Sequence, residues 1–223
     1  MSLPREIGQR IAVLGGTFDP FHNGHLALVE TAFAGLELDS LILIPAAVPP
    51  HKRDLPVTSL DHRLAMLKLA TAGRKGVYVS SLEAERPGPS FSIDTLTSLR
   101  RHFGSEVTLF FLLGIDAFVE IQTWKDYQQL PLLADLVVVN RAGTHSLQFE
   151  DAVRSMFIGY CPDAQSGCWR GPGGLGVIRS LEMAAVDVSS TAIRKLVSCG
   201  QSVAHLLPEA VAEYIESRDF YRS

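Results

Sequence analysis

Apolar positions along the chain follow two alternating rhythms. Short runs rich in β-branched, aliphatic and aromatic residues, Ile11–Leu14, Leu41–Ile44, Val77–Leu82, Val107–Leu113, Leu136–Val139 and Leu181–Val188, predict strands. Between them, apolar residues recur every three or four positions. Leu26, Val29, Phe33 and Leu36 share one helical face after the first run, Leu64, Leu67 and Ala70 after the second, and Ile93, Leu96, Leu99 and Phe103 after the third. Strands that are apolar nearly throughout belong to a sheet covered on both faces, and strand–helix alternation makes that sheet parallel. The expectation is a doubly wound α/β fold. Val211, Tyr214 and Ile215 repeat at helical spacing within Pro208–Tyr221, which predicts a docking helix and a small C-terminal helical subregion. The stretch GCWRGPGGLG, Gly167–Gly176, has no strand signal before it and no helix after it. It reads as a mobile surface connection rather than a phosphate-binding loop.

Length and composition narrow the function classes. The 223 residues can hold one large domain or two small ones, and a single domain spanning 1–223 is the expectation. A net charge of −4 argues against a nucleic-acid partner held through phosphates, which calls for a basic excess. Cys161, Cys168 and Cys199 are odd in number and form no CxxC pair, so they read as structural thiols. A metal site from Cys161, Cys168 and His145 is the weaker alternative. The polar start before Ile11 carries no signal-peptide pattern, and no apolar run is long enough to span a bilayer. A cytoplasmic protein without a membrane partner is expected.

In an open parallel sheet, ligands bind beyond the carboxyl ends of the strands, so the residues following each run carry the chemistry. After the first run comes GGTFDPFHNGH, residues 15–25. Gly15 and Gly16 let backbone approach a phosphate closely. Asn23 is the expected N-cap, which puts His25 in the first helical turn and His22 just before it, both near a helix end that attracts anions. The segment Ser189-Ser190-Thr191 lies between a strand and a helix, so Ser189 or Ser190 should cap that helix. Arg194, one turn in, can lean back toward an anion there, and its guanidinium fork suits phosphate oxygens.

The run GGTFDPFHNGH resembles the signature of the HxGH nucleotidyltransferase superfamily. Four further stretches narrow the resemblance to the bacterial nicotinate-mononucleotide adenylyltransferase family. They are Pro49-Pro50-His51-Lys52, Ser90-Phe91-Ser92-Ile93-Asp94-Thr95-Leu96, Gly114-Ile115-Asp116 with Trp124, and Ser189-Ser190-Thr191-Ala192-Ile193-Arg194. The likeness covers nearly the whole chain.

The resemblance implies a Rossmann-like fold and transfer of an adenylyl group from ATP to nicotinate mononucleotide, with magnesium accompanying ATP. It implies catalytic roles for His22, His25, Lys52 and Arg194. An ATP site would include Gly15, Gly16, Thr17, Phe18, Gly24, Gly114, Asp116, Arg141, Ser189, Ser190 and Thr191. In it Asp116 would bond a ribose hydroxyl. An acceptor site would use His51, Ser92, Trp124 and Lys125, with Trp124 stacking on the pyridine ring and Ser92 capping a helix whose amides receive the carboxylate. Read without the resemblance, Asp116 and Ser92 are simple caps, Trp124 is core, and His51 and Lys52 are solvated loop residues stiffened by Pro49-Pro50.

The chain departs from the family pattern at Lys125, where an aromatic residue is common, at Ser92 in place of Thr, and at Ala142 in place of Pro. Residues 149–176 are also less typical. The alternatives are an adenylyltransferase that prefers nicotinamide mononucleotide or accepts both, a cytidylyltransferase or pantetheine-phosphate enzyme, and a nucleotide-sensing module that has lost catalysis.

Overall fold

A computed structural model describes residues 3, 7–49, 57–141, 146–174 and 176–222. Its strands are β1 (Arg10–Gly16), β2 (Ser40–Pro45), β3 (Val77–Val79), β4 (Thr108–Gly114), β5 (Asp135–Arg141), β6 (Cys161–Asp163), β7 (Cys168–Arg170) and β8 (Val177–Met183). They form one sheet in the order β3-β2-β1-β4-β5-β8-β7-β6. The six strands from β3 to β8 run parallel, and β7 and β6 add antiparallel pairs at the edge.

The helices are α1 (Asn23–Leu36), α2 (Leu60–Thr71), α3 (Ser92–Phe103), α4 (Ile115–Val119), α5 (Leu130–Leu133), α6 (Ser146–Met156), α7 (Ser190–Ser198) and α8 (Glu209–Ser217). They divide between the two sheet faces. Val29, Leu67, Ile193, Val211 and Ile215 bring α1, α2, α7 and α8 onto Ala12, Leu41, Leu43 and Leu112. Ile93, Leu96, Phe118, Leu130 and Val153 bring α3 to α6 onto Ile11, Val13, Ile42 and Val138. Adjacent strand residues thus feed opposite cores, which is why the strands read as unbroken apolar runs.

Three expectations need correction. The sheet is mixed, because the segment expected to be a mobile connection contains β7 and belongs to a short hairpin with β6. Its three-residue strands are too brief for a period-two signal, and their turn closes with the Gly167 amide on the Asp163 carbonyl at 2.9 Å. The last parallel strand is Val177–Met183 rather than Leu181–Val188. Arg179, Ser180 and Glu182 break up its apolar pattern, whereas the β-branched residues Val186 and Val188 lie on the irregular link to α7. The third strand stops at Val79, and Leu82 falls in a 3-10 turn. All three cysteines are free thiols, with Cys168 buried; His145 lies outside the described residues.

Candidate active site

The sheet changes winding direction between β1 and β4, and crevices open at such points beyond the strand ends. A cleft of 460 Å³ occupies this place, a volume typical of small-ligand sites. Gly15 and Gly114 help form its floor, on the neighbouring strands β1 and β4. A Cβ added at either would meet nothing within 4 Å, so both strand ends present bare backbone. Gly16 differs, because a Cβ there would lie 3.0 Å from the Phe18 ring. Phe18 itself is 2% exposed and holds φ 51°, a conformation that is unfavourable for an aromatic residue and must be enforced by its surroundings.

The loop delivers the two histidines as a reciprocal pair. His22, not the expected Asn23, is the N-cap of α1, and its Nδ1 accepts from the His25 amide at 3.4 Å. The His22 amide in turn donates to His25 Nδ1 at 3.2 Å. Asn23 donates instead to the His205 carbonyl at 3.1 Å. A ring nitrogen that accepts carries no proton, so each neutral imidazole keeps its proton on Nε2. The rings stack with centroids 3.7 Å apart, and Phe21 stacks on the far side of His25 at 5.2 Å. Burial of His22 pushes its pKa down to about 4. Only His25 of the two lines the cleft. Gly24 permits the pairing, because a Cβ there would lie 2.9 Å from Val188 Cγ1 and 3.1 Å from His22 Nδ1.

The start of α7 docks on the same loop. Ser189 is the N-cap, accepting from the Ala192 amide at 3.1 Å. Ser190 Oγ donates to the Pro20 carbonyl at 2.9 Å. Arg194 Nη1 donates to the Asp19 carbonyl at 2.8 Å, and Nη2 to Thr191 Oγ1 at 3.3 Å. These residues stand beside the histidine loop rather than in the cleft wall.

Ser92, Trp124 and Lys125 line the same cleft, though Ser92 is not the helix cap it was expected to be. Phe91 is the N-cap of α3 and makes no side-chain cap bond, while Ser92 is the first helical residue. Ser90 makes the local ties, accepting from the Ala47 and Val48 amides at 3.0 and 3.2 Å. Trp124 lies edge-on to Phe111 at 6.3 Å. Lys125 Nζ bonds Asp94 at 3.1 Å and sits 5.1 Å above the Phe91 ring. Glu83, buried at 7% exposure, also lines the cleft and accepts from Thr95 Oγ1 at 2.7 Å.

The remaining expected residues separate into three cases. Thr17 and Phe18 line the cleft with the glycines. Asp116 is exposed in the first turn of α4, whose N-cap is Gly114, so it neither caps the helix nor lines the cleft. Arg141 ends β5, paired with Met183 of β8. His51 and Lys52 lie outside the described residues.

Sequence reasoning gave no role to Asp19, Glu83, Arg63 or Tyr221. Arg63 is 2% exposed and donates to the Thr17 carbonyl at 2.8 Å. A signal existed for it, since position 63 shares the buried helical face of Met66, Leu67 and Ala70. A cation on such a stripe must have partners.

Among the described residues, no three His, Cys, Asp or Glu side chains gather as a metal site, and no helix is long and apolar enough to cross a membrane. Residues 13–196 match the sequence profile of the cytidylyltransferase-like family. The chain is 38% identical over 213 residues to a Moorella thermoacetica protein named "probable nicotinate-nucleotide adenylyltransferase", covering 96% of this chain and 92% of that one. It is 39% identical over 222 residues to a protein of the same name from Pseudomonas syringae pv. tomato, covering 100% and 96%. In fold it is similar to the Plasmodium falciparum nicotinic acid mononucleotide adenylyltransferase solved with NaAD. That match has a TM-score of 0.72 at 16% identity and covers 96% of this chain and 98% of that one.

Proposed function

The chain belongs to the cytidylyltransferase-like family, among the nicotinate-nucleotide adenylyltransferases, and we propose that its cleft joins ATP to nicotinate mononucleotide. The products are nicotinate adenine dinucleotide and pyrophosphate, a step of NAD biosynthesis. The observation that carries this reading is the reciprocally capped histidine pair beside the bare ends of β1 and β4.

A phosphate oxygen of the mononucleotide attacks the α-phosphorus of ATP in line. The new P–O bond forms as the bond to the β-phosphate oxygen breaks, and pyrophosphate leaves. No protein nucleophile is needed, so the protein acts by positioning two polyanions and stabilising charge that grows in the transition state. Backbone at Gly15–Thr17 takes the phosphates closely. His25 offers Nε2–H from the cleft wall, and His22 fixes that tautomer from behind. Arg194 supplies a fork beside the same loop, and Lys52 adds a point charge. Gly24, Ser189, Ser190 and Thr191 hold this arrangement, Phe18 and Gly114 line the ATP side, and Asp116 and Arg141 are assigned to it by the family resemblance alone.

The acceptor's pyridine ring would lie against Trp124. Its carboxylate would meet the amides at the start of α3, near Ser92, and near Lys125, and the family resemblance adds His51 to the acceptor site. A helix start that attracts anions supports nicotinate over nicotinamide.

Nucleotidyltransferases generally use a divalent cation with ATP, and magnesium is the natural choice here. It would enter bound to ATP phosphate oxygens, as such ions commonly do. The carboxylate of the phosphate loop, Asp19, is already engaged by protein donors. When bound, the cation would neutralise phosphate charge. Residues 1–223 would act as one catalytic domain, in the cytoplasm.

Pyrophosphate release from ATP, tested with nicotinate mononucleotide, nicotinamide mononucleotide, phosphopantetheine and phosphocholine as acceptors, checks this reading. Turnover confined to the pyridine mononucleotides supports it. Turnover only with another acceptor would place the chain elsewhere in the family.

A further inference from the structure

We infer that the Tyr221 hydroxyl and the Asp19 carboxylate form a positioning strap that holds the histidine loop in its reactive geometry. Tyr221 follows α8, 202 positions after Asp19, yet its hydroxyl donates to Asp19 Oδ1 at 2.6 Å. The other carboxylate oxygen accepts from the Thr58 amide at 3.1 Å. Asp19 is 3% exposed, so its charge is satisfied by these donors rather than by bulk water. Its own carbonyl receives Arg194 at 2.8 Å. Arg63 braces the same unit, donating to the Thr58 carbonyl at 2.8 Å and the Thr17 carbonyl at 2.8 Å.

Through its carboxylate and its backbone carbonyl, Asp19 therefore ties together four separate pieces of chain. These are the loop that leads into His22, the residues just before α2 at Thr58, the start of α7 with Arg194, and the segment after α8. Two features mark the strap as more than packing. Tyr221 holds φ 64° and Phe18, one residue before Asp19, holds φ 51°. Aromatic residues take this conformation only where the surroundings enforce it. Burial and the neighbouring Asp19 push the Tyr221 hydroxyl well above its ordinary pKa, so it remains a donor. Geometry set this way acts on the reacting phosphates, where small displacements slow chemistry more than they weaken binding.

The kinetic test rests on the adenylyl-transfer reading. Tyr221→Phe removes one hydroxyl and keeps the ring. It should lower kcat about tenfold or more, while the KM values for ATP and nicotinate mononucleotide change less than about threefold. Asp19→Asn should give a similar loss, and the double variant should lose no more than the worse single one, because both act through one bond. Asp19→Asn also decides the matter if Tyr221→Phe does not fold. Tyr214→Phe is the control. It removes a neighbouring hydroxyl that bonds His62 at 2.9 Å, and should leave kcat within about twofold of wild type.

Amide hydrogen exchange across residues 17–25 gives a readout that needs no turnover, and it should be several-fold faster in Tyr221→Phe and unchanged in Tyr214→Phe. An inactive wild type would count against the adenylyl-transfer reading, and the exchange comparison would still decide the strap. An unchanged kcat, a loss carried by KM, an equal loss in Tyr214→Phe, or unaltered exchange would overturn the inference.

Discussion

Arg194 Nη1 reaches across 175 positions of sequence to donate to the Asp19 carbonyl at 2.8 Å, which couples the start of α7 to the loop that carries the histidines. The same guanidinium keeps a second contact, to Thr191. It can hold the loop with one nitrogen and offer others to phosphate, as a planar fork allows. An ammonium cannot meet both demands in that fixed geometry. Arg194→Ala should therefore lower kcat/KM by about 100-fold, and Arg194→Lys should recover only part of that loss. Full recovery with lysine would mean that net charge alone is used there.

His25 stands in the cleft wall with its Nδ1 committed to the His22 amide. On the proposed mechanism, His25→Ala removes a donor to charge that develops during the reaction. It should reduce kcat by about 100-fold or more while ATP affinity, measured by calorimetry, changes little. Turnover within a few-fold of wild type would assign His25 to α1 capping alone.

The pH dependence of stability follows from His22. In the unfolded chain the imidazole titrates near 6.5, whereas in the fold its pKa is lowered to about 4 by burial. Between these values the unfolded chain binds a proton that the fold does not. The contribution is therefore complete above about pH 6.5 and is lost as pH falls toward 4, on the order of 3 kcal/mol at the limit. Thermal melts between pH 7.5 and 4.5 should show a drop in Tm that is smaller in His22→Asn, where that titration is absent. Parallel pH profiles for the two proteins would contradict this role.

The central parallel strands β1, β2, β4 and β5 were legible in the sequence because a strand buried on both faces leaves an unbroken apolar run, whereas β8, broken by Arg179, Ser180 and Glu182, was not. The glycine turn that ends β1 was legible for the same reason, since Gly15 and Gly16 directly follow such a run. Local caps were less so. Asn23 and Ser92 have cap-forming side chains, yet His22 and Phe91 take the positions. At His22 a reciprocal bond with His25 outweighs ordinary cap preference, and at Phe91 the backbone turns without any side-chain cap. The partners of Asp19 were not legible, because Tyr221 and Arg194 meet it only through the tertiary fold. The β6–β7 hairpin was hidden by its short strands and by glycines that suggested a loop.

Gly24 is the most closely packed glycine of the histidine loop. Gly24→Ala places a methyl 2.9 Å from Val188 Cγ1 and about as close to His22, so one of them must move. A cost of about 1–3 kcal/mol is expected, as for other overpacked sites, together with a fall in kcat as the imidazole pair is displaced. Thermal unfolding and steady-state kinetics on the variant check this. Wild-type values for both would show that the loop yields without consequence.

The central claim concerns the acceptor. A nicotinate carboxylate only accepts hydrogen bonds, whereas a nicotinamide group also presents an NH₂ donor, which would face amide donors at the start of α3 and near Lys125. Polar sites left unpaired reject the wrong ligand strongly. The most direct measurement is kcat/KM for the two mononucleotides at saturating ATP and magnesium. The expected result favours nicotinate mononucleotide by at least about 100-fold, or about 2.7 kcal/mol. Equal efficiencies, or a preference for nicotinamide mononucleotide, would contradict it.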